Sequence, residues 1–259
     1  MSERPRTFRT PALVLKRRNF GEADRQLTLL TPHYGKFDVI AKGARKPTSR
    51  KTGHVELFMK TDVLIARGRS LDILTQAELI DPYLAIREDL ERGAYASYVS
   101  ELLDRFTYDS DDTETAPLFE LLSDTFQRLS QLDADPRTSV RYFELHLLDE
   151  VGFRPELSEC VVMRTDIEPT DQYFSYDGGG VVSNEGAMHA AGLVPLPMTT
   201  LKLMRHFQRS DYSQVASLTI PDGVQRDMER VMLGYLSYTL ESRVQSVDFI
   251  RRLRQMSES

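Results

Sequence analysis

The hydrophobic period of this chain changes once, at Asp81-Pro82. Before that point apolar residues recur at every second position in short runs, the pattern of half-buried strands. After it they recur at three- and four-residue spacing, the pattern of helices buried on one face. A chain patterned this way is neither all-α nor all-β. It predicts an α+β multidomain protein, with a β-domain over residues 1–81 and a helical domain over residues 82–259. The full 259 residues are enough for two such cores.

Five strands are expected in the first part, at residues 12–15, 26–31, 37–42, 58–66 and 71–79. Arg67-Gly68-Arg69-Ser70 between the last two reads as a hairpin turn. Five short strands with one long connection fit a small barrel of the oligonucleotide-binding type, the OB-fold. An SH3-like barrel fits the strand count nearly as well. In the second part, amphipathic faces run through residues 90–106, 118–129, 140–151, 201–207 and 224–236. Between them, residues 154–198 are rich in Pro and Gly and are expected to be irregular, an insertion in the helical domain.

The long connection is the strongest local signal. Lys42-Gly43-Ala44-Arg45-Lys46-Pro47-Thr48-Ser49-Arg50-Lys51 carries five cations in ten residues. Unpaired charges are not buried without a large penalty, so the segment is an exposed loop. Up to Ile80 the chain holds 16 Lys and Arg against 8 Asp and Glu; beyond it, 17 against 31, for a total of −6. Such asymmetry suggests a part that faces a polyanion joined to an acidic, solvated part. Lys42, Arg45, Lys46, Arg50 and Lys51 are therefore candidate DNA contacts, gripping phosphates without reading sequence. Lys16 and Arg18 share one face of the first strand, and Arg25 and Lys36 flank the next two, so these four extend the candidate groove. Single strands usually also stack on aromatic rings. Phe20, Tyr34 and Phe37 are available; Tyr34, in a turn before Gly35, is the best placed, and Phe37 reads as core.

Residues in both parts resemble the RecO family of bacterial recombination mediators. In the first part these are Leu15-Lys16, Gly21-Glu22-Ala23-Asp24-Arg25, Leu29-Leu30-Thr31, and Gly35-Lys36 leading into Ala41-Lys42-Gly43-Ala44-Arg45-Lys46. Gly68, Leu71 and Ala77-Glu78-Leu79 resemble the family's last barrel strands. In the second part Phe143-Glu144-Leu145, Leu147-Leu148 and Gly152-Phe153-Arg154-Pro155-Glu156-Leu157 resemble the helix and turn before its zinc knuckle. The resemblance implies an OB-fold barrel followed by a helical domain with a knuckle, here at about residues 154–190. It implies binding of single- and double-stranded DNA, annealing of complementary strands, and action with RecR to load RecA onto strands coated by single-strand-binding protein (SSB). It also implies that a groove of the helical domain receives the SSB C-terminal tail; Arg128, Arg137 and Arg141 are near apolar faces, but no groove can be chosen from one sequence.

The knuckle departs from the family. Where Cys-x-x-Cys…Cys-x-x-Cys is expected, the chain has Cys160, Met163, Ser183 and Gly186. Structural zinc needs four N or S ligands. No zinc or other cofactor is expected, and packing by Phe174 and the nearby valines is expected to hold the turn.

Enzyme chemistry is not indicated. The five histidines are scattered, Gly178-Gly179-Gly180 lacks the Gly-Lys-Ser/Thr of a phosphate loop, and no Gly-x-Ser-x-Gly occurs. A single cysteine, no apolar leader after Met1 and no bilayer-length apolar run point to a cytoplasmic protein without a membrane partner. The alternative function is a protein-interaction adaptor whose barrel grips an acidic partner peptide.

Overall fold

The computed structural model describes residues 6–46, 52–108 and 114–257. Arg50 and Lys51 of the basic segment lie outside the described residues. The chain divides into two compact units, Met1–Leu132 with Arg252–Ser259, and Asp133–Arg251.

In the first unit β1 (Thr7–Phe20), β2 (Asp24–Leu30), β3 (Lys36–Ala41), β4 (Lys60–Ala66) and β5 (Asp72–Asp81) close into a barrel ordered β1-β2-β3-β5-β4. Of the two barrels the strand count allowed, this is the OB-fold. β1 serves two neighbours. Thr7 to Leu13 pairs antiparallel with β4, and Leu13 to Phe20 pairs with β2. The register shifts between Val14 and Lys16, and such a bulge bends a strand so that a small sheet can close. Closure is completed by a short parallel contact, Val39 opposite Asp72 and Ile40 opposite Ile73.

β1 runs further than its apolar residues suggested. Lys16-Arg17-Arg18-Asn19-Phe20 stays in the ladder because a barrel strand needs apolar residues only on its inner face. Val14, Leu27, Leu29, Phe37, Val39, Ile65 and Leu74 fill the interior. Gln26, Thr28 and Asp38 alternate with them onto the outer face.

α1 (Leu84–Glu88), α2 (Leu90–Phe106) and α3 (Ala116–Leu129) belong to the same unit as the barrel. The Phe58 and Tyr83 rings meet Phe126 of α3 edge-on at 5.7 and 5.6 Å. Arg92 of α2 closes the end of α3: its guanidinium donates to the carbonyls of Leu129, Gln131 and Leu132 at 2.7–2.9 Å. The Leu129 carbonyl is one a helix leaves without an internal partner, at its negative end, and the other two belong to the turn that follows.

The second unit carries α4 (Pro136–Glu150), which starts at Asp135, whose side chain accepts from the Arg137 N–H, with Pro136 in the first turn. The insertion is more regular than expected. β6 (Gln172–Ser175), β7 (Gly180–Val182) and β8 (Val194–Leu196) form a sheet ordered β7-β6-β8. Its strands are three or four residues long, too short for a period of two to register. α5 (Met198–Arg209), α6 (Tyr212–Ala216), α7 (Asp222–Thr239) and α8 (Ser246–Ser257) follow. No helix among the described residues is long and apolar enough to cross a membrane.

Candidate nucleic-acid interface

The β1–β2 hairpin and the start of the basic segment form one body. Gly21 takes a left-handed φ of 56° at the hairpin turn, and Gly43 one of 66° at the start of the segment. The Gly43 N–H donates to Asp24 Oδ1 at 2.7 Å. The Arg45 N–H donates to the Ala23 carbonyl at 2.9 Å, and its guanidinium reaches the Gly21 carbonyl at 3.2 Å. Ala44 is fully buried and plugs the segment into the barrel core. With the backbone pinned, the side chains of Lys42, Arg45 and Lys46 stand exposed. Lys42 and Lys46 have no side-chain partner among the described residues, and no carboxylate neutralises Arg45 there.

The outer face of β1, β2 and β3 borders a cleft of about 430 Å³ lined by Lys16, Arg17, Arg18, Gln26, Thr28 and Asp38. A hydrogen-bonded chain orders its floor. Arg18 Nε donates to Gln26 Oε1 at 2.9 Å; Gln26 Nε2 and Thr28 Oγ1 each donate to Asp38 at 2.6 Å. Nearby, Glu56 pairs with both Arg17 and Arg25. Desolvation, and then repulsion from Arg25 and Arg87, lower the Arg17 pKa from its ordinary value. One carboxylate therefore answers for more than one cation, and the local charge is in positive excess.

The remaining candidates are placed differently. Arg25 is mostly buried, with its guanidinium 2.7 Å from Glu56. Lys16 is well exposed and pairs with Asp104. Lys36 corrects the sequence reading: its side chain is only 5% exposed. Its ammonium donates to the Asp104 and Thr107 carbonyls at 2.6 and 2.8 Å and pairs with the Asp104 carboxylate at 3.1 Å. It anchors the end of α2 and does not face a groove. Tyr34 is also corrected. It lies half-buried against Phe8, ring centroids 4.1 Å apart, where it caps the core. Phe37 is core, as expected. Phe20, at the end of β1 beside the hairpin turn, is the open ring, 46% exposed. Charge and loop signals in the sequence do not single out Arg17, Gln26 or Asp38. The two polar residues alternate correctly with the core, so period two was the signal that could have marked them.

In the insertion, the four knuckle positions converge although three cannot be thiolates. Cys160 Sγ accepts from the Met163 and Ser183 N–H groups at 3.3 Å and from Ser183 Oγ at 3.4 Å. A Cβ on Gly186 would lie 2.9 Å from that sulfur. Burial pushes the thiol pKa up, but donors from Ser183, Met163 and Val162 outweigh it, and the net shift is down. Among the described residues no three of His, Cys, Asp or Glu converge as a metal site. One thiol ringed by hydrogen-bond donors does not fit tetrahedral zinc.

The family description "Recombination protein O N terminal" matches residues 1–83, and "Recombination protein O C terminal" matches residues 87–248. The chain is 36% identical over 253 residues to "DNA repair protein RecO" of Roseiflexus sp. (strain RS-1), covering 98% of this chain and 88% of the relative. It is 32% identical over 251 residues to the protein of the same description from Dehalococcoides mccartyi (strain ATCC BAA-2100 / JCM 16839 / KCTC 5957 / BAV1), covering 97% and 98%. With that from Thermoanaerobacter sp. (strain X514) the identity is 30% over 253 residues, covering 97% and 100%.

Proposed function

The chain belongs to the RecO family of DNA repair and recombination proteins, and on that premise we propose that it is a non-catalytic mediator that binds single- and double-stranded DNA by the backbone, without sequence preference. The observation that supports this best is the trio of exposed cations, Lys42, Arg45 and Lys46, pinned beside the β1–β2 hairpin with no carboxylate among the described residues to neutralise them. Phosphates can take that role, with release of counterions. Arg17 and Arg18 continue the positive surface, and Phe20 offers a ring on which a base can stack. Arg50 and Lys51 remain in the proposed contact set. Lys36 and Tyr34 do not, and Arg25 acts through its pair with Glu56.

Neutralising two strands at once lowers their mutual repulsion, which is how such a surface anneals complements. The resemblance extends the proposal to RecR and the SSB tail as partners and to loading of RecA on SSB-coated DNA. The test is oligonucleotide binding and strand annealing by the triple variant Lys42→Glu, Arg45→Glu, Lys46→Glu. A loss of at least tenfold in affinity and a slower annealing rate are expected. Unchanged affinity and annealing would reject the mapped site and favour an adaptor that grips an acidic peptide.

A further inference from the structure

The second unit contains a cleft of about 620 Å³ bordered by the turn at Gly152, the Gly178-Gly179 turn and the end of α7. It is the size of a small-molecule site. Phe153 and Tyr238 stand at its edge, 47% and 49% exposed, with Tyr176 and Tyr235 further in. The three tyrosine rings are held in place. The Tyr235 hydroxyl donates to the Phe153 carbonyl at 3.0 Å, and that of Tyr238 donates to Asp177 at 2.6 Å. Tyr176 lies against α7 where a Cβ on Gly234 would collide with its ring. Glycine inside a helix costs about 1 kcal/mol against alanine, so the sequence gives up helix stability to seat that ring.

The charges select the ligand. The acidic lining groups outnumber the basic ones by one: Glu156, Asp177 and Glu241 against Arg154 and Arg164. Two of the carboxylates are already engaged, Glu156 by the Ser158 and Glu159 N–H groups and Asp177 by Tyr238. Arg154 pairs with Asp149, whereas the Arg164 guanidinium has no partner among the described residues. A run of phosphates laid into the cleft, or an acidic peptide, would be repelled here, whereas a base can enter with its backbone left outside. A neutral flat group with polar edges is suited, with one phosphate within the reach of Arg164.

We propose that this cleft takes an unpaired nucleobase of single-stranded DNA, stacked against Phe153 and Tyr238, as a second contact separate from the barrel. The proposal rests on the DNA-binding reading above. It makes the second unit a discriminator: a base in a duplex is already stacked on both faces and cannot enter.

The chain has no tryptophan, so Phe153→Trp creates a single fluorescent reporter at the cleft. Its emission is expected to be quenched by oligo-dT, and not by a duplex or by an abasic oligomer of equal length. Tyr238→Ala is expected to weaken oligo-dT binding about five- to 150-fold, from the usual contribution of one stacked base, and to leave duplex binding unchanged. Tyr238→Phe, which keeps the ring, should retain most of the affinity, and circular dichroism checks that each variant is folded. Absence of quenching, equal quenching by the duplex or abasic oligomer, or unchanged oligo-dT affinity in folded Tyr238→Ala overturns the proposal. Quenching by an SSB tail peptide but not by oligo-dT does so too. The triple loop variant separates the two readings: if it weakens DNA binding while Tyr238→Ala does not, only the cleft proposal fails.

Discussion

At the scale of single residues, charge alone did not say which cations face solvent. Lys36 and Lys42 look alike in sequence, each next to a β-run. One is buried because its partner Asp104 arrives from 68 residues away, and no local pattern announces that. Lys36→Met should lower stability by about 1–3 kcal/mol, since it leaves buried acceptors unpaired. Denaturant midpoints would measure this, and DNA affinity in the folded variant should be unaffected. The same holds for the aromatic candidates: Tyr34 packs against Phe8, a contact no local pattern announces, and Phe20 is more open. At the knuckle the sequence shows which residue types stand at the four positions, and zinc ligation is a matter of chemical type. Gly186→Ala would drive a methyl to 2.9 Å from Cys160 Sγ and should cost about 1–3 kcal/mol. A chelator should leave the melting temperature of the unaltered protein where it was, and one equivalent of tightly bound zinc in the purified protein would contradict the assignment.

At the scale of elements, the long helices are readable from their period, and so are the five barrel strands, although the apolar run at residues 12–15 marks only the middle of β1. The three strands of the insertion were not readable. Short antiparallel ladders on both sides of β6 set their order, and separate turns are tied to the sheet by single contacts such as the Val161 N–H to the Val181 carbonyl at 2.9 Å and the Val181 N–H to the Glu156 carbonyl at 2.8 Å. Glu156 adds a titratable lock. The Ser158 N–H, opposed by desolvation and joined by the Glu159 N–H, holds the Glu156 carboxyl below its ordinary pKa. A carboxyl with a depressed folded pKa stabilises fully above its unfolded pKa, near 4.3, and loses that contribution as pH falls through the lower folded value. Acid unfolding of the insertion should therefore be shallower in Glu156→Gln than in the parent. Amide hydrogen exchange at Ser158 and Glu159, followed below pH 5, would detect it.

At the scale of the whole molecule, the split in charge between the two parts of the sequence is what places the proposed DNA contacts on the barrel, whereas the order of strands is not legible from the sequence. Closure of β3 onto β5 joins segments separated by the entire basic connection. If the barrel engages single strands by phosphates, each cation removed should flatten the salt dependence. Three reversals at Lys42, Arg45 and Lys46 should reduce the log–log slope for oligo-dT by about 2, at roughly 0.7 per phosphate. Anisotropy titrations across a range of salt would read it, and an unaltered slope would remove these side chains from the contact set.

Asp104 has two basic neighbours of unequal freedom. Lys36 is enclosed and permanent, whereas Lys16 is mostly in water. If a DNA phosphate drew Lys16 away, as the proposed function would have it, the carboxylate it left would still be compensated by the Lys36 ammonium. Departure strands no charge, and neither does return, so a contact made by Lys16, if it takes a phosphate as proposed, could form and break without leaving Asp104 unpaired.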